Sequence, residues 1–202
     1  MKYATKFIAI TLITVLASGC SGLQTTNPRQ VFDFGPGALA APAANRATAS
    51  ALPAIALAEI EPSAALDGTS VLYRLAYADA QQLQPYGLAR WTMTPAQLVR
   101  QRLRDALGQR GPVVNAGDAN VPLTLRVELD EFSHLFEAPD KSTGLVRLRA
   151  TLTRNEALVG QRSFVLQRPA LTPDASGGVR ALTAATDAAI DELATWLGQT
   201  LR

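Results

Sequence analysis

A long alternation of apolar and polar residues in the middle of the chain limits the folds that the sequence can adopt. From position 121 to position 130, every odd-numbered residue is Val or Leu, and every even-numbered residue is polar, charged or Pro. Successive side chains of a strand point to opposite faces, so this pattern predicts a strand with one buried face. Phe132 falls out of phase. We predict a β-bulge near Asp130 and Glu131, which would place Phe132, His134 and Phe136 on one face.

Further strands are predicted downstream of this alternation. Val146 to Leu152 alternates in the same way after a loop that spans Pro139 to Gly144. Val159 to Gln167 follows the turn residues Arg154 to Glu156. Consecutive strands with short turns favour an antiparallel meander.

Upstream, the pattern is shorter but similar. Val71 to Tyr77 is predicted as a strand after the turn dipeptide Asp67-Gly68, and we expect Gln84 to Tyr86 to pair briefly with it. The apolar segment from Leu52 to Ile60 is predicted as a buried strand. A short Ala-rich helix is the alternative, which Pro53 and the short length disfavour.

Two helices are predicted. Thr94 is placed as an N-cap with Pro95 in the first helical position, and the helix ends near Gly108. Its buried stripe contains Leu98, Val99, Leu103, Ala106 and Leu107. Four arginines, Arg100, Arg102, Arg104 and Arg110, lie on the remainder, either as a solvated face or as a basic face for lipid head groups or an acidic partner. The last helix runs from about Gly178 to Leu201. The fold class is therefore α+β: an antiparallel sheet of about five to six strands with two helices on one face.

The N-terminus has the pattern of an export signal. Two lysines precede an apolar run from Phe7 to Ala17, which is about half the length of a membrane-spanning helix. Leu16 to Cys20 resembles a bacterial lipobox, in which the cysteine is diacylated, becomes residue one after cleavage and is then usually acylated at its amino group. Ala17 stands where such motifs usually have Leu, and an ordinary signal peptide is the alternative.

Three regions follow from this pattern. Residues 1–19 are predicted as a lipoprotein signal peptide, residues 20–50 as the lipidated N-terminus with a Pro/Ala-rich tether, and residues 51–202 as the folded domain. Within the tether, Phe32 to Phe34 is a candidate first strand. Ser21 after the cysteine is similar to the outer-membrane sorting signature, so we expect a lipid anchor on the periplasmic face of the outer membrane. Several acyl chains give stable anchoring where one does not.

Composition excludes several classes of function. The full chain has 19 basic and 17 acidic residues, and loss of Lys2 and Lys6 with the signal peptide balances the charge, so nucleic-acid binding has no support. One Cys and one His exclude an internal disulfide, a multi-thiolate zinc site and most His-based metal chemistry. No cofactor site is expected.

Catalytic motifs are also missing from the sequence. His134 is interpreted as a packed or edge residue of a strand, with catalysis as the alternative. Ser63 and Ser133 lack a nucleophile elbow and a second base, and the Gly177-Gly178 pair lacks the spacing of a phosphate-binding loop. We therefore predict no enzyme activity and assign any ATP-driven step to a partner.

Aromatic residues and arginines concentrate in one part of the sequence. Because aromatic residues and Arg are enriched at protein interfaces, this group is a candidate docking surface, and the alternative is that Tyr73 and Trp91 complete the core. The candidate residues are Tyr73, Arg74, Tyr86, Arg90 and Trp91.

Several segments together resemble the ABC-type transport auxiliary lipoproteins, the PqiC-like family. They are Leu66-Asp67-Gly68, Val71 to Arg74, Tyr86 to Trp91, the Thr94-Pro95 helix start and Leu125 to Phe132, with Phe32 to Pro36 similar to the family's opening Tyr-x-Leu strand. The resemblance covers nearly all of the chain after the signal peptide. It implies an outer-membrane lipoprotein that acts with MCE-domain proteins and an ABC transporter complex in lipid transport between the two membranes. A homo-oligomeric ring is compatible with it.

Three functional hypotheses follow. The first is a non-enzymatic auxiliary that docks a lipid-carrying MCE channel, the second a periplasmic lipoprotein that carries lipid in its own cavity, and the third a cell-envelope hydrolase. The missing catalytic groups argue against the hydrolase. Lipid that co-purifies with the delipidated domain would favour the carrier.

Overall fold

The computed structural model describes residues 28–37, 51–118 and 120–202, and the helices and strands there follow the predicted order. The strands are β1 (Gln30–Phe32), β2 (Ile55–Pro62), β3 (Ser70–Leu75), β4 (Gln84–Trp91), β5 (Val113–Asn115), β6 (Leu123–Ala138), β7 (Lys141–Arg154) and β8 (Ala157–Pro169). The helices are α1 (Pro95–Gly108) and α2 (Ala175–Thr200), and a single 3₁₀ turn covers Ala64–Leu66. The segment from Leu52 contributes a strand, β2, and not a short helix.

Strand β6 is the central strand of the sheet and pairs along both of its edges. One of its edges pairs with β7 along nearly its whole length, and β7 pairs with β8, so these three strands form the predicted antiparallel meander. The other edge is shared: the first half of β6 pairs with β2 and the second half with β3, both in parallel. Strand β5 pairs with the outer edge of β2. On the other side, β4 pairs with β3, and β1 pairs with β4.

The α+β class with two helices is confirmed, and the sheet is mixed but mostly antiparallel. It contains eight strands in the described residues, where the sequence pattern predicted about five to six. The pairings that the pattern did not predict are parallel: β1 with β4, β2 with β5, and both β2 and β3 with β6. Parallel neighbours need a crossover connection of a dozen or more residues. Helix α1 and the β3–β4 hairpin lie in the connection between β2 and β6 and allow that crossover.

The predicted bulge in β6 is confirmed. The pairing register with β7 shifts between Leu129 and Glu131. As a result Leu129 and Phe132 are both buried in the same core, although they are three residues apart in a strand. The bulge therefore joins two stretches of alternation with opposite phase into one buried face.

Both helices pack on that face and contact each other. Helix α1 begins with the predicted cap: the side chain of Thr94 accepts a hydrogen bond from the backbone N–H of Gln97, and the side chain of Gln97 in turn accepts one from the backbone N–H of Thr94. Helix α2 approaches β7 very closely at Gly144, where a Cβ atom would lie 2.4 Å from the backbone nitrogen of Leu182. Neither helix is long and apolar enough to span a bilayer within the described parts of the chain.

Part of the segment that the sequence pattern assigned to a tether belongs to the folded domain. Strand β1 pairs in parallel with the end of β4, and Phe34 is buried against Trp91 and Phe132 at ring-centroid distances of 5.6 and 6.1 Å. The candidate first strand is thus present, two residues earlier than the Phe-Asp-Phe pattern. The signal peptide, Cys20 and residues 38–50 lie outside the described residues.

Candidate functional site

An aromatic cluster lies on the inner face of the sheet where β3, β4 and the second half of β6 meet. Parallel pairing places Tyr73 beside His134, and antiparallel pairing with β4 brings Tyr86 alongside. The Tyr73 and Tyr86 rings are 4.7 Å apart, and the His134 and Phe136 rings are 4.3 Å apart. Both tyrosines are half-buried. We call these four residues the inner cluster.

His134 is fully buried and has a partner at each ring nitrogen. Its Nδ1 lies 2.9 Å from the hydroxyl of Tyr86, and its Nε2 lies 2.8 Å from Oγ of Ser142. The first turn of α2 closes over the ring, because a Cβ atom on Gly178 would lie 2.4 Å from Nδ1. Only a glycine permits this approach of the helix.

Burial keeps the network uncharged. It lowers the pKa of His134 to about 4, against a smaller opposing effect of the Asp174 carboxylate. Burial also raises the pKa of Tyr86 above its ordinary value, with the neighbouring Tyr73 as a second cause. The imidazole is therefore neutral at pH 7, and the network consists of hydrogen bonds between neutral groups.

The contact between His134 and Ser142 has the distance of a base and a nucleophile, but its surroundings do not suit catalysis. Ser142 is 5% exposed and His134 is completely covered, so a substrate has no access to the hydroxyl. The second ring nitrogen is held by a tyrosine and not by a carboxylate, and the lowered pKa makes the imidazole a weak base. The pair supports the interpretation of His134 as a packed residue. The sequence pattern missed Ser142 and Tyr86 as its partners.

The five candidate docking residues separate into four environments. Tyr73 and Tyr86 belong to the inner cluster. Arg74 lies on the opposite face of the sheet, where it forms an ion pair with Glu131 at 3.1 Å. Its guanidinium also donates to the carbonyls of Ala80 and Gln81, both at 3.3 Å, so Arg74 holds the β3–β4 connection in place.

Trp91 was predicted as a docking residue, but the structure places it in the core. It is 2% exposed and packs edge-to-face against Phe34 and Phe132, both at 5.6 Å. Alternation along β4 explains the difference, because Ala89 and Trp91 face the core while Arg90 between them is exposed. Trp91 completes the core, as the alternative interpretation held, and is covered in this conformation.

An exposed patch on the outer face surrounds Arg90. Val31 of β1 is its register partner, and Leu88, two residues earlier in β4, is exposed like Arg90 while Ala89 between them is buried. Val31 is 62% exposed and Leu88 is 47% exposed. We call Val31, Leu88 and Arg90 the outer patch. The sequence pattern missed Val31 and Leu88, although the alternation from Leu88 to Trp91 was a signal for the exposure of Leu88.

The arginines of α1 are largely engaged within the domain. Arg100 pairs with Glu59 at 3.0 Å, and Arg104 donates to the side chain of Asn115. Arg102 pairs with Asp187 of α2 at 2.9 Å and donates to the carbonyl of Phe34 at 2.7 Å. These contacts support a structural role rather than a basic face that binds a partner.

Arg102 also borders a half-open cavity of about 410 Å³ between α1 and the segment after β1. Besides Phe34 and Leu98, its walls include polar and charged side chains: Asp33, Thr92, Gln101, Arg102 and Asp105. The described residues contain no group of His, Cys, Asp and Glu side chains arranged to hold a metal ion.

Comparisons with known proteins agree with the fold. A model of the family "ABC-type transport auxiliary lipoprotein component" matches residues 38–195. A crystal structure of a Xanthomonas campestris protein, described under the family DUF330, superposes with a TM-score of 0.67 at 17% identity, over 75% of this chain and 86% of that chain. A second crystal structure, of an uncharacterized protein, gives 0.62 at 14% identity, over 84% and 98%. No curated protein matches the sequence significantly.

Proposed function

The chain belongs to the family of ABC-type transport auxiliary lipoprotein components, and from that premise we propose that it is the non-enzymatic outer-membrane component of a lipid transport system. In this proposal Cys20 carries the lipid anchor, and the domain lies on the periplasmic face of the outer membrane. There it docks the MCE-domain protein that is driven by an ABC transporter in the inner membrane. The family match, which covers most of the chain, is the observation that carries the proposal.

The absence of enzymatic activity is supported by the inner cluster. The single His of the sequence is sealed beneath α2 with a lowered pKa, and its serine neighbour is buried with it. A histidine in this position stabilises the packing of a helix on a sheet. It is not available as a general base to a molecule outside.

The outer patch is the proposed docking surface for the MCE-domain protein. Of the predicted docking residues, Arg90 remains exposed, and Val31 and Leu88 add apolar area beside it. An arginine bordered by apolar side chains is typical of interface cores. Tyr73, Tyr86 and Arg74 act indirectly in this proposal, because they hold β3 and its connection against β4, the strand that presents Leu88 and Arg90.

Lipid carriage within the domain has less support. An acyl chain needs a predominantly apolar cavity. The cavity beside Arg102 has about 410 Å³ but is bordered by Asp33, Gln101 and Asp105. A carrier would have to bind lipid against these charged and polar side chains, so docking is the better-supported function.

Docking is tested by a pull-down of the full-length lipoprotein in detergent with the periplasmic MCE-domain protein encoded nearest to it. We expect the double variant Leu88→Ala and Arg90→Ala to lose most of the binding, since truncation of interface anchors costs about 2 kcal/mol or more each. The matched control is Val165→Ala with Arg147→Ala, a second exposed apolar residue and arginine that are register partners on the same sheet face.

Wild-type binding that the control variant keeps and the outer-patch variant loses would support the docking surface. Equal binding by all three proteins would rule out the outer patch as the docking surface, but the MCE-domain protein would remain the binding partner. No binding by folded wild-type protein to a folded partner would rule out direct docking and would favour the lipid-carrier alternative.

A further inference from the structure

Three connections lie together at one end of the sheet. The β3–β4 connection (76–83) is joined to the end of β6 by the bond from the backbone N–H of Ala76 to the carbonyl of Phe136, at 2.9 Å. The connection between β8 and α2 (170–174) is joined to the start of β7 by the bond from Ala170 to the carbonyl of Ser142, also at 2.9 Å. Between them lies the β6–β7 turn (139–140). We call this end of the domain the tip.

The direction of β1 shows from which end of the sheet the chain enters it. Strand β1 runs parallel to β4, and β4 begins at the tip with Gln84. Gln30, the first residue of β1, is the register partner of Ala89, so it lies five residues, about 17 Å, from the start of β4. The N-terminal end of β1, at Gln30, therefore points toward the tip.

The length of that chain limits how far the anchor can lie from the domain. Cys20 is ten residues before Gln30, and ten residues span at most about 33–36 Å. About half of this length is needed to reach the level at which β4 begins. The remainder, at most about 16–19 Å, is the farthest that Cys20 can lie beyond that level, so a lipid on Cys20 keeps the domain close to the membrane surface.

The tip carries side chains suited to such contact. Leu171 is 87% exposed, the highest value among the large apolar residues described, and Tyr77 is 48% exposed. Tyr77 lies in the connection after β3, and Arg74 holds that connection to the sheet by bonds to the carbonyls of Ala80 and Gln81. Tyr is enriched at membrane interfaces, and an exposed Leu gains free energy by entering the headgroup region.

Charge at the tip neither repels nor strongly attracts a lipid surface. Acidic residues there are Asp79, Glu137, Asp140 and Asp174, and basic residues are Lys141, Arg168 and Arg180. Glu137 pairs with Lys141, and Asp174 accepts a hydrogen bond from the backbone of Gly177 in the α2 cap. Contact with the bilayer therefore depends on the apolar side chains.

We propose that the tip is the membrane-contact surface of the domain, with Leu171 and Tyr77 inserted at the level of the lipid headgroups. This inference rests on the lipid anchor at Cys20 that the proposed function includes. It adds an orientation: α2 and the meander β6–β8 extend from the bilayer into the periplasm, and the end that contains Leu158 lies farthest from the membrane.

The test uses the fact that Cys20 is the only cysteine of the chain. Once its sulfur is acylated, a cysteine introduced by Leu171→Cys or Tyr77→Cys is the single free thiol and can be labelled with an environment-sensitive fluorophore. Full-length lipoprotein is reconstituted into vesicles of phosphatidylethanolamine with a minor share of phosphatidylglycerol and a quencher on the headgroup. Leu158→Cys, at an exposed apolar position of the opposite end, is the matched control.

We expect the labels at positions 171 and 77 to lose most of their fluorescence and the label at position 158 to keep it. Quenching at position 158 without quenching at the tip would overturn the proposed orientation, as would no quenching at any position. Mass spectrometry of the N-terminal peptide separates the two proposals, because an unacylated Cys20 would contradict the anchor itself, and the orientation with it.

Discussion

The two halves of β6 form one strand but two different kinds of interior. From Leu123 to Leu129 the inward side chains are all Leu or Val. Those from Leu125 onward lie beside Leu152, Ala150 and Leu148 of β7. From Phe132 to Phe136 the buried residues include Ser133 and His134 besides the two phenylalanines, and their neighbours are Tyr73, Tyr86 and Ser142. The bulge after Leu129 marks the boundary.

This difference separates two contributions to a stable fold. The first half gains free energy from apolar area, which is large and does not depend on direction. The second half buries polar atoms, whose hydrogen bonds contribute little net free energy but are costly to leave unmade. We therefore expect the first half to set the stability of the domain and the second half to fix the position of the α2 start and of the tip.

The largest effect is expected in the apolar half. Leu129→Ala removes a fully buried side chain between β7 and the helices and should lower the free energy of unfolding by about 2–5 kcal/mol. Urea denaturation followed by circular dichroism measures it. A loss below that of Tyr86→Phe in the other half would reverse the assignment of stability to the first half.

The second prediction is a pH dependence confined to the polar half. The folded pKa of His134 is about 4 and its ordinary value is 6.5, so between these values the unfolded chain binds a proton that the folded chain excludes. Stability attributable to His134 is therefore present above pH 6.5 and is lost as the pH falls toward 4, by up to about 3 kcal/mol.

This dependence is measured as the difference in unfolding free energy between wild type and His134→Asn at pH 7.5, 5.5 and 4.5. We expect the wild type to lose more stability than the variant as the pH falls. Parallel curves for the two proteins would mean that His134 is not held neutral by its surroundings.

The smallest effect on the free energy of unfolding is expected when a hydrogen bond in the polar half of β6 is removed, compared with removal of a buried hydroxyl that has no partner. Tyr86→Phe leaves Nδ1 of His134 without its partner and should cost about 1–3 kcal/mol. The matched control is Ser133→Ala, because the buried hydroxyl of Ser133 has no hydrogen-bond partner among the described residues. Its removal should leave the stability unchanged or slightly increased. Equal losses from both variants would show that the bond to His134 adds nothing.

The same division explains which parts of the fold the sequence predicts. The apolar half follows from local alternation, and the end of that alternation predicted the bulge. The cap at Thr94 depends only on residues three positions apart, so it was visible as well. The parallel pairing of β2 and β3 with β6 was not predicted, because it joins segments that are more than 60 residues apart in the sequence.

The candidate site was less predictable than the fold. Tyr86 and His134 are separated by 48 residues, and nothing local to either residue indicates their contact. Trp91 and Arg90 were grouped because they are neighbours in sequence, but neighbours in a strand face opposite sides. The aromatic and arginine pattern therefore located the right strands without separating the inner cluster from the outer patch.

The pairing of β1 with β4 has a mechanical consequence. A force that pulls the proposed anchor at Cys20 away from the domain would enter the sheet at Gln30, the first residue of β1, and act along the axis of that strand. In this geometry the interstrand hydrogen bonds are sheared together, which requires more force than opening them one after another. Directly behind them, Phe34 is fixed in the core and its carbonyl is held by Arg102. Tension between membrane and partner would thus be transmitted into the interior of the sheet.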